Sequence, residues 1–314
     1  MLEPMGERFG AAFWIQRTSW PELRDAALAA DAAGFDEVWL DDHLLADEGD
    51  WRDPKLEGWS TLAAVAAVTS RVRLGLLVAA NTFRNPGLTA KLATTLDHVS
   101  GGRAILGLGA GWFEREHEAF GLEFGDSVGE RLDWLAEDLP LIRRLLDGET
   151  VTHRGTHYAM QDAICRPRPI QAHLPILIGG KGRQKSLPLI ARQADIWNTY
   201  AMPEVLADLD GVLRASCAEI GRDPATIDRS VYLNACIRNE RAAAVAAWDA
   251  TREAHRPQLG EDRPDAIGTI ADVVGLLRCF TAVGFEHVMF VFRSPFDLET
   301  IGRLPELRAA LAEP

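Results

Sequence analysis

Eight short apolar segments, each followed by a helical pattern, predict an α/β chain folded as a TIM (β/α)8 barrel. Two further observations point the same way. The run at 72–79 (VRLGLLVA) shows no polar alternation, which suits a strand covered on both faces. Polar or glycine-rich loops also recur where those runs end. The competing doubly wound sheet would carry its G-x-G-x-x-G turn near the first strand. Here Gly107-Leu108-Gly109-Ala110-Gly111 follows the fourth strand and lacks the third glycine at that offset. At 314 residues, one such barrel with insertions accommodates the chain, so a single domain is expected over 1–314.

The first strand is placed near 9–15 (FGAAFWI). Ser19 and Glu22 have capping-box spacing and open a helix with Leu23, Ala27, Ala30 and Ala33 on one face, ending at Gly34. Residues 35–40 (FDEVWL) form the second strand and run into Asp41-Asp42-His43; an Ala-rich helix follows around 60–69. Residues 72–79 (VRLGLLVA) form the third strand. Asn85-Pro86 then caps and starts a helix whose buried stripe is expected at Leu88, Leu92, Leu96 and Val99. Ser100-Gly101-Gly102 ends that helix, and the fourth strand, 104–108, runs out into Gly109 and Gly111.

Residues 112–174 are too long for a simple connection and read as an insertion. It holds a helix over 128–146, with Leu132, Leu135, Leu139, Ile142 and Leu146 as its apolar stripe. A hairpin turning at Arg154-Gly155 follows, then the extended connector Arg166-Pro167-Arg168-Pro169. The fifth strand, 175–178, ends in Gly179-Gly180-Lys181-Gly182-Arg183, and a helix runs on to about Gln193. Strand six spans 195–199, and a helix over 206–220 stops at Gly221. Strand seven spans 230–237, and a second, charged insertion covers 238–267, helical in its Ala-rich first half. A helix over 269–283 leads to the eighth strand, 287–292, and a terminal helix closes the chain.

Net charge is −13, with no basic tract, which argues against nucleic acid and anionic membrane as partners. Cys165, Cys217, Cys236 and Cys279 lie far apart with no metal-ligand spacing and read as reduced thiols. Neither an apolar signal core in the first ten residues nor an apolar run of about 18 residues is found, so a cytoplasmic location is expected.

Barrel chemistry sits at the carboxyl ends of the strands. That rule gathers Asp41, Asp42, His43, the 79–82 segment, Gly107–Trp112, Gly179–Arg183 and Trp197–Tyr200 on one rim. Asp42-His43 is its polar titratable cluster, suited to proton transfer near neutral pH. A metal site is not expected, because Trp14-Ile15-Gln16-Arg17 stands where barrel hydrolases carry an H-x-H pair. Glycine exits at 109–111 and 179–180 could support an anionic ligand through backbone N–H groups, with Lys181 or Arg183 adding charge.

Three stretches, FDEVWLDDHL, the block from RVRLGLLV through GLGAGWFEREHEAFG, and CRPRPIQAHLPILIGG, resemble the luciferase-like monooxygenase superfamily. The long block is most similar to the branch that uses the deazaflavin coenzyme F420. The resemblance implies a small-molecule oxidoreductase, a homodimer, and His43 as the proton-transfer group beside the redox ring. Asp42 precedes it in the same motif. The resemblance also implies a non-prolyl cis peptide at Leu77–Val78 that backs the ring. Ala79, Ala80 and Asn81 continue this wall, and Gly109, Ala110, Gly111, Gly179, Gly180, Lys181 and Arg183 are expected around the cofactor's tail. Trp14, Trp112 and Trp197 are expected to wall the substrate pocket. Trp112 stands where the sugar-phosphate dehydrogenase of the family has a catalytic Glu, and Ala80 where it has Thr, which speaks against that substrate. The alternatives are an FMN-dependent monooxygenase using reduced flavin and oxygen, and a flavin- or deazaflavin-binding protein without turnover.

Overall fold

The computed structural model describes residues 7–256 and 264–313. Strands are β1 (Arg8–Phe13), β2 (Glu37–Leu40), β3 (Arg73–Leu76), β4 (Ala79–Ala80), β5 (Leu106–Gly109), β6 (Thr150–Arg154), β7 (Ala159–Ile164), β8 (Ile176–Gly179), β9 (Ile196–Thr199), β10 (Asp228–Ile237), β11 (Asp265–Gly268) and β12 (His287–Phe292). Helices are α1 (Trp20–Ala33), α2 (Gly58–Val68), α3 (Pro86–Ser100), α4 (Glu114–Phe120), α5 (Val128–Leu146), α6 (Ser186–Gln193), α7 (Pro203–Glu219), α8 (Arg241–His255), α9 (Ile270–Thr281), α10 (Leu298–Gly302) and α11 (Leu304–Leu311).

The sheet runs β3-β2-β1-β12-β10-β9-β8-β5-β4. The ladders joining these strands are parallel. β4 follows β3 directly in the chain, and the peptide between them, Leu77–Val78, is cis, as the resemblance implied. The lower half of this strand pairs with β2 and the upper half with β5, so the ring closes into a TIM barrel. Strand alternation divides the core in two. Ala12, Trp14, Trp39, Leu77, Ile105, Leu177, Ile196, Met289 and Val291 fill the barrel interior. Residues of opposite phase, among them Phe13, Leu40, Leu108 and Trp197, pack against the helices.

Local signals place the helix ends. The Ser19 N–H donates to the Glu22 carboxylate at 2.9 Å, and Asn85 Oδ1 accepts from the Leu88 N–H at 2.9 Å. Gly34 and Gly101 end their helices at φ 90° and 68°, a conformation glycine enters without a Cβ clash.

Three expectations need correction. The buried face of α3 is Thr89, Ala90, Ala93, Thr94, Leu96 and Asp97, whereas Leu88 and Val99 are 47% and 46% exposed. Small residues let α3 approach its neighbours α2 and α5, and Asp97 satisfies the connector by accepting from the Ile170 and Gln171 N–H groups at 2.7 and 3.0 Å. The span 112–174 is not wholly extra, because α5 occupies the place of the barrel helix between the fourth and fifth staves, flanked by α4 and the β6–β7 hairpin. The second insertion ends in β11, which extends the sheet in parallel with β10 and replaces the irregular segment expected there. Its residues 257–263 lie outside the described residues.

Candidate functional site

A cavity of about 420 Å³ opens at the carboxyl ends of the barrel strands, within the size range of small-ligand sites. Trp14 and Leu77, from the interior cluster, form its floor. Val78 and Ala80 line one wall, Gly109–Gly111 and Gly179–Lys181 the next, and Asn198, Thr199, Tyr200 and Tyr232 the far side. Asp42 and His43 enter from the exit of β2, and Trp112, Glu116 and Val128 from the first insertion.

His43 is held from two sides. Its Nδ1 lies 2.9 Å from Glu116 Oε1, and its Nε2 lies 3.7 Å from Asp47 Oδ2. Glu116 Oε2 also accepts from the Leu44 N–H at 2.8 Å and from the Leu45 N–H at 3.4 Å, fixing the backbone that carries the imidazole. Burial disfavours the charged ring, but Asp47 and Glu116 outweigh it and hold His43 above the usual histidine range. Asp47 is paired with Lys55 Nζ at 2.8 Å, and Lys55 is also bonded to Asp41. Burial opposes the charges here too; the two carboxylates nevertheless push Lys55 up, while His43 and Lys55 hold Asp47 low.

Asp42 is not the partner of His43. Successive residues of an extended chain point to opposite sides, and the Asp42 carboxylate turns to Arg84, at 2.6 and 3.0 Å, and to the Ala80 N–H at 3.2 Å. Burial pushes Asp42 up to about 6 against the pull of Arg84. Asp42 therefore ties the β2 exit to the β4 segment.

The glycines are needed where they stand. A Cβ at Gly109 would meet Val78 Cγ2 at 2.6 Å, and one at Gly179 would meet the same side chain at 3.3 Å. Gly111 has φ 71° and would meet Thr82 Oγ1 at 2.9 Å. Two glycine exits thus make room for one valine side chain, and Lys181 stands beside them, its ammonium 4.0 Å from the centre of the Tyr200 ring.

Four expected residues are placed elsewhere. Ala79 belongs to the outward-facing core. Asn81 is buried, with neither side-chain atom hydrogen-bonded within the protein. Arg183 pairs with Asp208 on the surface. Trp197 is buried, packs edge-on against Phe285 and donates from Nε1 to the Gly180 carbonyl at 2.7 Å. One residue of strand phase decides this last case, because Ile196 and Asn198 point inward and Trp197 cannot. Trp14 and Trp112 do reach the cavity; Trp112 sits edge-on to the His43 ring at 5.3 Å.

Sequence reasoning missed Glu116, Asp47 and Lys55 around His43, and Val128 and Tyr232 in the cavity lining. Glu116 meets His43 across 73 residues, and nothing local distinguishes it from Glu114 or Glu118 in the same helix. Among the described residues no group of three or more His, Cys, Asp or Glu side chains is placed to hold a metal ion.

A sequence profile of luciferase-like monooxygenases matches residues 8–281. The chain is 30% identical over 321 residues to an F420-dependent glucose-6-phosphate dehydrogenase of Nakamurella multipartita, covering 92% of this chain and 91% of that one. It is 31% identical over 249 residues to an F420-dependent hydroxymycolic acid dehydrogenase of Mycobacterium tuberculosis, covering 78% and 67%. A match of 35% identity to an uncharacterized Mycobacterium tuberculosis protein spans 58% of that protein's length and 54% of this chain. Among solved structures, an F420-dependent secondary alcohol dehydrogenase in complex with an F420-acetone adduct superposes with a TM-score of 0.85 at 20% identity, over 98% of this chain and all of the other. Profile and full-length similarity agree: the chain belongs to the luciferase-like monooxygenase family.

Proposed function

We propose that the protein is an oxidoreductase that moves hydride between coenzyme F420 and a small organic substrate, with His43 moving the accompanying proton. The observation that carries this reading is the meeting of three parts in one cavity. These are an imidazole with Nδ1 fixed by Glu116, the Leu77–Val78 wall, and two glycine exits that line the cavity around Val78. The full-length relative named as an F420-dependent dehydrogenase supports the choice of cofactor.

The residues fit such a group. Leu77 and Val78 offer a flat apolar backing for a planar ring, and Gly109, Ala110, Gly111, Gly179 and Gly180 let backbone approach an anionic tail, with Lys181 as the adjacent cation. When bound, the deazaflavin supplies hydride chemistry at its C5 position. The protein's own work is to orient it, to place a substrate oxygen near His43, and to exclude water with Trp112 and Val128 at the mouth. Trp112 is 45% exposed, suiting a mouth that substrate must pass.

Fluorescence titration of the purified protein tests the reading. F420 is expected to bind and to be reduced or oxidised with a suitable substrate. Micromolar FMN binding without F420 binding would replace this reading with the flavin monooxygenase. F420 binding without turnover on any acceptor would leave only a binding protein.

A further inference from the structure

Lone pairs and protons around His43 carry information about the direction in which the site works. Glu116 is an acceptor, so Nδ1 at 2.9 Å carries a hydrogen. A neutral ring would then turn a bare Nε2 lone pair toward the Asp47 carboxylate at 3.7 Å; a doubly protonated ring turns an N–H toward it. Three buried carboxylates, Asp41, Asp47 and Glu116, stand here against one ammonium, Lys55. Adding a positive imidazole reduces that imbalance.

The other charged groups nearby do not reverse this. Asp42 is committed to Arg84. Lys55 opposes a charge on His43, but its ammonium is shared by Asp41 and Asp47, and Asp41 is itself pinned by the Ile15 N–H at 2.8 Å. On α4, His117 has Nδ1 2.9 Å from the Phe113 carbonyl and Nε2 2.7 Å from Thr82 Oγ1; this pairing suits a neutral ring, which burial favours. Lys181 belongs to the glycine wall, 4.0 Å from the Tyr200 ring centre.

We propose that Asp47, kept ionised by Lys55, is a positioning residue that with Glu116 holds His43 as an imidazolium in the resting site, so that the site is set to reduce a carbonyl substrate. In that direction the Nε2–H bond of His43 breaks and an O–H bond forms on the substrate oxygen. The carbonyl π bond opens as its carbon accepts hydride from the reduced deazaflavin, which is oxidised. The imidazole is left neutral beside Asp47 and regains its proton from solvent. The hydride source rests on the function proposed above; the protonation state of His43 does not.

The test is an NMR pH titration of the full cofactor-free chain with isotope-labelled histidine, with His43 assigned from the signal lost in His43→Gln. At pH 7 the His43 ring is expected to be protonated on both nitrogens. Asp47→Asn should lower its proton affinity about tenfold, and Asp47→Glu should restore most of it. A neutral His43 ring at pH 7, or an unmoved midpoint in Asp47→Asn, overturns the proposal. If Asp47→Asn does not fold, the wild-type titration decides alone. Failure of F420 binding would remove the proposed function while leaving the histidine titration standing, so the two can be told apart.

Discussion

Nδ1 of His43 lies 2.9 Å from Oε1 of Glu116, a contact that spans 73 residues and joins the exit of β2 to the first insertion. The same carboxylate holds the Leu44 and Leu45 N–H groups. One side chain thus sets both the orientation of the imidazole and the path of the backbone behind it.

Replacing Glu116 with Gln keeps its shape and removes its charge. Hydride transfer is expected to slow by about 10²-fold, the size of a disabled acid–base group, while F420 affinity changes little. Steady-state kcat compared with fluorescence Kd checks this. A loss confined to cofactor affinity would mean that Glu116 serves the binding wall instead.

Gly109→Ala is expected to weaken F420 binding at least tenfold without unfolding the chain, because the new Cβ meets the Val78 side chain at 2.6 Å on the cavity wall. Gly107→Ala makes the contrast: its Cβ would strike the Leu76 carbonyl within the barrel, so it should lower the melting temperature first. Fluorescence titration and thermal melts on the two variants separate these effects.

At the opposite end of the barrel, Glu37 lies 2.8 Å from His287 Nε2. Burial would raise this carboxyl, but His287, Arg8 and Arg73 overcome it and bring it down from 4.5 to about 2. A folded-state value below the unfolded one means stability that is present above pH 4.5 and lost as pH falls toward 2. Glu37→Gln should flatten that part of the pH dependence, as thermal melts between pH 7 and 3 would show. An unchanged slope would assign acid sensitivity to other carboxylates.

The described lining of the cavity carries Asp41, Asp42, Asp47 and Glu116, with Lys181 as the lone ammonium or guanidinium. Lys55 is held by Asp41 and Asp47, Arg84 by Asp42, and Lys181 stands at the glycine wall, so no cation of the described lining is left beside His43 to pair with a substrate phosphate. An uncharged ketone with an apolar body is expected to exceed glucose 6-phosphate in kcat/KM by at least about 10²-fold, the size of leaving a charged group without its partner. Comparable turnover of the sugar phosphate would refute this reading of the cavity.

Much of the architecture was legible because it is local. Short apolar runs, the Asn85-Pro86 start and the Gly34 and Gly101 stops depend on a few neighbouring residues each, and they place the staves and most helices. The rim followed from the same count, since strand exits define it, and so His43, Gly109 and Gly179 could be named in advance. The helix stripe of α3 was misread because tight packing favoured Ala and Thr over Leu88 and Val99.

What the sequence by itself determined was the barrel, the rim and the residue types on it. Tertiary structure alone decided which groups meet: His43 with Glu116 and Asp47, Asp42 with Arg84, Trp197 with Phe285. The reason is physical. Secondary structure is written in periodicities of a few residues, whereas the charge state of a buried imidazole depends on how the loop after β2 folds Asp47 back to it and on Glu116, brought within 4 Å by docking of an insertion.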